Sequence, residues 1–265
     1  LIESRWLLFL LAWALAAAIQ TALYLRQRRT RDATAVDAGW AASLVAIAAL
    51  YALLADGSLA HRVLIATMAG LENLRVARLV LSRVGKGEDE RYRQLRSRWR
   101  ARGREQSSFF VFYQAQALVA AVLSAPILLA AFDPDERLGP LAWAGAALWT
   151  GAAVLERAAD RQLERFKSDP AKKGRTLKTG LWRYSRHPNY FFQWLTWVAY
   201  ALVALEAPYG WIGLVAPAIM LYLILFVTGV PAAEESSLRS RGEEYRRYQR
   251  ETSAFVPWFP RERRA

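Results

Sequence analysis

Residues 6–25, WLLFLLAWALAAAIQTALYL, contain no Asp, Glu, Lys or Arg. At about 1.5 Å per residue, twenty such residues coil to roughly 30 Å, the thickness of a bilayer's hydrocarbon core. Backbone groups in lipid must be satisfied within the segment, so the stretch reads as a membrane-crossing helix. Five further blocks free of formal charge follow, at 39–55, 109–132, 138–155, 191–205 and 211–230. A soluble core would show apolar residues at helical or strand period, not in unbroken runs. A seventh span is placed at 62–82, where Glu72, Arg75 and Arg78 interrupt an otherwise membrane-like composition. The expected fold is all-α: a polytopic membrane helix bundle of about seven transmembrane helices, forming one integral membrane domain over residues 1–265.

The charges between the spans set an orientation. The chain has 265 residues and net charge +13, and its Lys and Arg residues alternate between loops. The segments 26–38, 83–108, 156–190 and 231–265 hold four, nine, ten and eight of them. The N-terminus and the loops 56–62, 133–137 and 206–210 hold one, one, one and none. Basic loops stay cytoplasmic, so the N-terminus is expected outside and the C-terminus in the cytosol.

Several chemistries are absent. No cysteine is present, which excludes disulfides and thiolate metal sites within this chain. Two histidines, His61 and His187, rule out a histidine-rich metal centre, and no metal site is expected. The Rossmann, P-loop, HExxH and GxSxG signatures do not occur.

Polar residues concentrate in three basic segments. The first, 83–106, reads as an interfacial helix whose Lys and Arg face anionic lipid phosphates. In the second, Glu156, Asp160, Leu163 and Lys167 recur at spacings of four, three and four, one face of a helix continuing past the apolar block. Asp169 and Pro170 end that helix, and Gly174 and Gly180 punctuate a turn containing Arg175. GLWRYSRHPNYFFQW (180–194) then crowds Arg183, Arg186, His187 and Asn189 against the next apolar run. Guanidinium forks grip phosphate or carboxylate; Tyr184 and Tyr190 add flat faces and hydroxyls; Pro188 disfavours helix at His187. The third segment, 234–265, reads as a helix followed by FVPWFP at the interface. Within the membrane, Glu72, Arg75 and Arg78 read as one polar stripe, and ionisable groups at that depth face a cavity or one another. Asp37, three residues before Trp40, is a second candidate acid.

GLWRYSRHPNYFFQW resembles the C-terminal motif of the steroid 5-alpha-reductase-like bacterial integral membrane proteins, a superfamily shared with sterol reductases and isoprenylcysteine carboxyl methyltransferases. The likeness extends to VDAGW (36–40), GKGEDERYRQLRSRW (85–99), ADRQLERFKSDPAKKGR (159–175) and RGEEYRRYQRETSAFVPWFP (241–260). It implies a cofactor-binding half over 156–265 that faces the cytosol, in the cytoplasmic (inner) membrane of a bacterium. By motif, Asp160, Lys167, Arg175, Asn189 and Tyr245 would contact NADPH, with Tyr184, Arg186, His187 and Tyr190 as neighbours. The implied reaction reduces a lipophilic enone, steroid-like or isoprenoid-like. Hydride goes from NADPH to the beta carbon, and an acid, Asp37 or Glu72, polarises the carbonyl. The sequence departs from the steroid branch at Glu72 (tyrosine there), Phe192 (glycine), Gln193 (acidic) and Glu156 (asparagine). Glu234–Glu235 ahead of GEEYRRY resembles the methyltransferase branch, so an S-adenosylmethionine-dependent methyltransferase of a lipid or prenylated acceptor is the alternative. A third is a non-catalytic lipid-binding membrane protein. The expected partners are a lipophilic small molecule and membrane lipid, with no nucleic acid.

Overall fold

The computed structural model describes residues 1–82 and 84–260 and is helical throughout, with one isolated bridge between Ile2 and Ala55. In chain order the helices are α1 (Arg5–Thr30), α2 (Ala35–Leu54), α3 (Leu59–Leu81), α4 (Glu90–Ala101), α5 (Glu105–Leu123), α6 (Ala125–Ala131), α7 (Pro140–Ser168), α8 (Pro188–Ala204), α9 (Val215–Tyr222) and α10 (Val230–Glu251). Among the described residues four stretches are long and apolar enough to cross a membrane: Arg5–Thr30, Ala35–Leu54, Glu105–Ala131, and a part of Gly210–Glu251. The apolar part of the last is the charge-free run 211–230. The chain divides into two compact units.

The first unit comprises Leu1–Trp143 and Tyr200–Ala216. Here α2 packs against α1 and α3, and α1 also packs against α5. Small residues allow the close approach expected of membrane-type helices. Ala35, Ala38, Ala41 and Ala48 on α2 are buried, and a Cβ on Gly39 would strike Leu23 of α1. Deeper in, the Tyr51 hydroxyl pairs with Ser124 Oγ at 3.0 Å.

α4 is amphipathic. Tyr92, Leu95, Arg96 and Trp99 share one face and pack on Tyr24, Phe109, Phe112 and Tyr113. Arg96 is 7% exposed. It donates to Glu88 Oε1 (2.7 Å) and Oε2 (3.0 Å), Glu105 Oε1 (2.6 Å) and Gln27 Oε1 (3.1 Å), and lies over the Phe109 ring. This clamp fastens the basic segment to the ends of α1 and α5.

The same unit holds both candidate acids. Asp37, in the first turn of α2, accepts from the Tyr92 hydroxyl (2.6 Å) on Oδ1 and from Arg91 Nη2 (3.0 Å) on Oδ2. Burial and the Asp37 carboxylate push the Tyr92 phenol up, so it stays a proton donor. Glu72, 3% exposed on α3, takes Arg75 Nη2 (2.8 Å) and Nε (3.1 Å) on Oε1, while its buried Oε2 has no hydrogen-bond partner. The expected single stripe does not extend to Arg78, which is exposed. Each step of three falls about 60° short of a full turn, so two steps carry Arg78 some 120° away from Glu72.

The second unit comprises Ala144–Ala199 and Pro217–Ala265, of which 144–199 and 217–260 are described. α7 runs to Ser168, and the loop after it contains two short 3-10 turns, Pro170–Lys172 and Gly180–Arg183. The second turn is held on α7 by Trp182 Nε1 donating to the Ala159 carbonyl (3.0 Å) and Leu181 N donating to Gln162 Oε1 (3.0 Å). α8 begins at Pro188, so His187 lies just outside it; proline at the first helical position forfeits only an N–H that would be unpaired anyway. α10 is kinked at Gly242, whose φ of 51° and ψ of −124° suit a residue without a side chain.

Candidate functional site

Within the second unit, the end of α7, the following loop, the start of α8 and the face of α10 enclose a cavity of about 510 Å³. That size lies in the range of small-molecule sites. Its polar lining is cationic: Lys167, Lys172, Lys173, Arg175, Arg186 and Arg241. No Asp or Glu is found among the described residues that line it. Lys172 pairs with Asp169 at 2.8 Å and Arg186 with Glu234 at 2.6 Å. Among the described residues, Lys173, Arg175 and Arg241 form no ion pair. Hydroxyls of Ser236, Ser237 and Ser240 and the Tyr190 and Tyr245 rings complete the wall.

Two lining residues carry buried oxygens without a hydrogen-bond partner, Asn189 Oδ1 and Thr176 Oγ1. The Asn189 amide is oriented from behind, since its Nδ2 donates to Asp160 Oδ1 at 3.1 Å. Thr176 is fixed through its backbone N, which donates to Glu244 Oε1 at 2.9 Å. A buried acceptor left unpaired is costly, so both oxygens are suited to a donor arriving with a ligand.

Arg186 is a hub of the fold. Its Nε donates to Glu234 Oε1 (2.6 Å), and its Nη1 donates to the carbonyls of Gln249 (2.9 Å) and Thr252 (2.7 Å). Glu234 also lies 3.3 Å from His187 Nε2 and accepts from Gln249 Nε2 (2.8 Å). It follows the apolar run 211–230. Burial pushes its carboxyl up, but His187, the Arg186 guanidinium and Gln249 outweigh that and hold it at about 2. The imidazole in turn stacks on the Tyr190 ring, 5.5 Å between centroids and 6° from parallel. The C-terminal strand of chain is laced to the same loop: Arg186 N donates to the Ser253 carbonyl (2.8 Å), Ser185 Oγ to that of Phe255 (2.8 Å), and Trp258 N to that of Tyr184 (2.9 Å).

Of the nine residues expected to hold a cofactor, seven line the cavity: Lys167, Arg175, Arg186, His187, Asn189, Tyr190 and Tyr245. Asp160 stands behind Asn189 and orients it. Tyr184 is not at the cavity; its exposed ring meets Phe259 edge-on, because the 3-10 turn directs Trp182 inward instead. Arg186 reaches the wall with Nε and Nη1 already committed, so it positions the loop. Sequence reasoning missed Lys172, Lys173, Thr176 and the α10 group Ser236, Ser237, Ser240 and Arg241. The signal was available in the last group, whose offsets of 0, 1, 4 and 5 mark one helical face.

A helical, membrane-type protein with a cationic cavity is the class that fold and site define. The chain belongs to the family described as Protein of unknown function (DUF1295), which it matches over residues 23–252. It is also similar to an uncharacterized protein of Schizosaccharomyces pombe, 30% identical over 184 residues, 56% of this chain and 53% of that protein. The chain thus spans about half the length of this curated relative. No solved structure matches.

Proposed function

We propose that the protein is a membrane-embedded, NADPH-dependent reductase of a lipophilic enone, with seven spans, the N-terminus outside and the cationic cavity facing the cytosol. The observation that carries this reading is the cavity's charge: among the described residues Lys173, Arg175 and Arg241 have no ion-pair partner, and no carboxylate joins them in the wall. Phosphates match guanidinium and ammonium donors. S-adenosylmethionine brings a sulfonium cation, which this wall would repel.

The residues fit a phosphorylated dinucleotide. Lys173, Arg175 and Arg241 would take phosphate oxygens. The unpaired Asn189 Oδ1 and Thr176 Oγ1 would accept from an amide or ribose hydroxyl, and the Tyr190 and Tyr245 rings offer flat contacts. NADPH, when bound, supplies a hydride. The remaining task is to polarise a carbonyl and deliver a proton. Of the two candidate acids Glu72 has the less engaged carboxyl: Asp37 has both oxygens taken by Tyr92 and Arg91, whereas Glu72 Oε2 is buried without a hydrogen-bond partner. Oε1, held by Arg75, fixes the carboxyl's direction.

Thermal denaturation of detergent-purified protein with added ligand tests the proposal, since a ligand that binds the folded state stabilises it by about 2.7 kcal/mol at a hundredfold excess over its Kd. NADPH is expected to raise the midpoint and S-adenosylmethionine to leave it unchanged. Stabilisation by S-adenosylmethionine alone would assign the methyltransferase reaction. No response to either would leave a lipid-binding protein. In the reductase, Glu72→Gln retains NADPH binding and loses turnover.

A further inference from the structure

The first unit carries a second cationic region, on different elements from the cavity. At the end of α1, Arg28 and Arg29 are exposed, and Arg98, Arg102 and Arg104 are exposed on and just after α4. None of these five forms an ion pair among the described residues. They contrast with Arg96 on the same helix, whose guanidinium is consumed by Glu88 and Glu105. The Arg96 clamp and the Tyr92–Trp99 face turn α4 so that its other arginines point outward.

The depth of these arginines is marked by their neighbours. Leu25 is 49% exposed and lies one helical turn before Arg28 and Arg29. Phe110 and Val111 on α5, 43% and 65% exposed, follow Arg104 within about two turns. Exposed apolar side chains on a membrane-type helix face lipid tails. The arginines therefore sit at the edge of the apolar belt, at the level of headgroup phosphates. Arg26, between the two zones, has a buried Nη1 without an acceptor.

We infer that the end of α1 and the outer side of α4 form a binding surface for anionic phospholipid headgroups. The phosphodiester supplies the acceptors that Arg28, Arg29, Arg98, Arg102 and Arg104 lack, and each guanidinium near a negatively charged leaflet gains attraction. The zwitterionic headgroup of phosphatidylcholine offers the same phosphate with no net charge. The surface thus discriminates by charge.

The test compares full-length protein in nanodiscs of phosphatidylcholine and of phosphatidylcholine with phosphatidylglycerol. Thermal denaturation reads the preference, and native mass spectrometry reads retained lipid. Wild type is expected to melt higher with phosphatidylglycerol and to lose that difference at about 1 M salt, where the Debye length falls to roughly 3 Å. Arg98→Glu/Arg102→Glu/Arg104→Glu should melt like wild type in phosphatidylcholine, gain nothing from phosphatidylglycerol, and retain it at least about tenfold less. If that variant melts lower in phosphatidylcholine too, the Arg→Gln triple replaces it, with the same expected loss of preference. Equal melting of wild type in the two lipids, a preference indifferent to salt, or a preference surviving in the variants would each overturn the inference. NADPH-induced stabilisation is measured in parallel; its presence or absence leaves this result unaffected.

Discussion

Two buried or half-buried clusters of charge sit in the two units, and they are built oppositely. Around Arg96 each guanidinium nitrogen donates to an acceptor, from two glutamates and a glutamine carbonyl, with an aromatic ring against its face. Around the cavity of the second unit, among the described residues, Lys173, Arg175 and Arg241 have no carboxylate, and Asn189 Oδ1 and Thr176 Oγ1 have no donor. A cluster closed on itself acts as a fastener, since removing one member strands the others. A cluster left open on one side is shaped for something that arrives. The second unit also contains its own fastener, Glu234 with Arg186 and His187, immediately behind the open wall.

The comparison breaks most visibly at Arg96. Arg96→Ala leaves Glu88 and Glu105 facing each other beneath α4, and about 3–5 kcal/mol of stability should be lost. A denaturation midpoint close to wild type would show that the closed cluster is not a fastener. Next is Glu234→Gln, expected to cost about 2–3 kcal/mol at neutral pH, because Arg186 and His187 lose their shared carboxylate. Its pH dependence is specific. The carboxyl's ordinary value is 4.5 and its folded value is about 2. A depressed folded value means the contribution is complete above about pH 4.5 and drains as pH falls toward 2. The gap between wild type and Glu234→Gln should therefore narrow over that interval, and a gap of constant size would remove Glu234 from the account. Arg175→Ala should act the other way round: the denaturation midpoint holds while NADPH affinity drops about tenfold to a hundredfold in a binding titration. The smallest effect belongs to Tyr184→Ala, within about 0.5 kcal/mol in stability and without change in NADPH affinity. Weakened binding in that variant would return Tyr184 to the site.

Much of this was legible along the chain. Uninterrupted apolar runs announce helices whatever their neighbours, and Pro188 marks where a helix starts because its fixed ring disfavours helix at the residue before it. Seven cavity residues fell within motifs or spacings visible in the sequence. What the chain did not disclose is how two of the side chains in those motifs are engaged. Arg186 looks like a free phosphate fork until the carbonyls of Gln249 and Thr252 arrive from more than sixty residues away. Tyr184 looks like Tyr190 until the 3-10 turn sends one outward to Phe259 and the other to the cavity wall.

What the amino-acid sequence by itself determined is the material: helical segments rich in lipid-compatible side chains, and cations gathered in four stretches between them. Helix formation and hydropathy are local properties, set by residues within a few turns. Which of those cations are spent and which remain open was decided by tertiary structure alone. A guanidinium's partners are chosen by what folding brings within about 3 Å, and Arg96, Arg175 and Arg186 differ in that and in nothing their own residue type reveals.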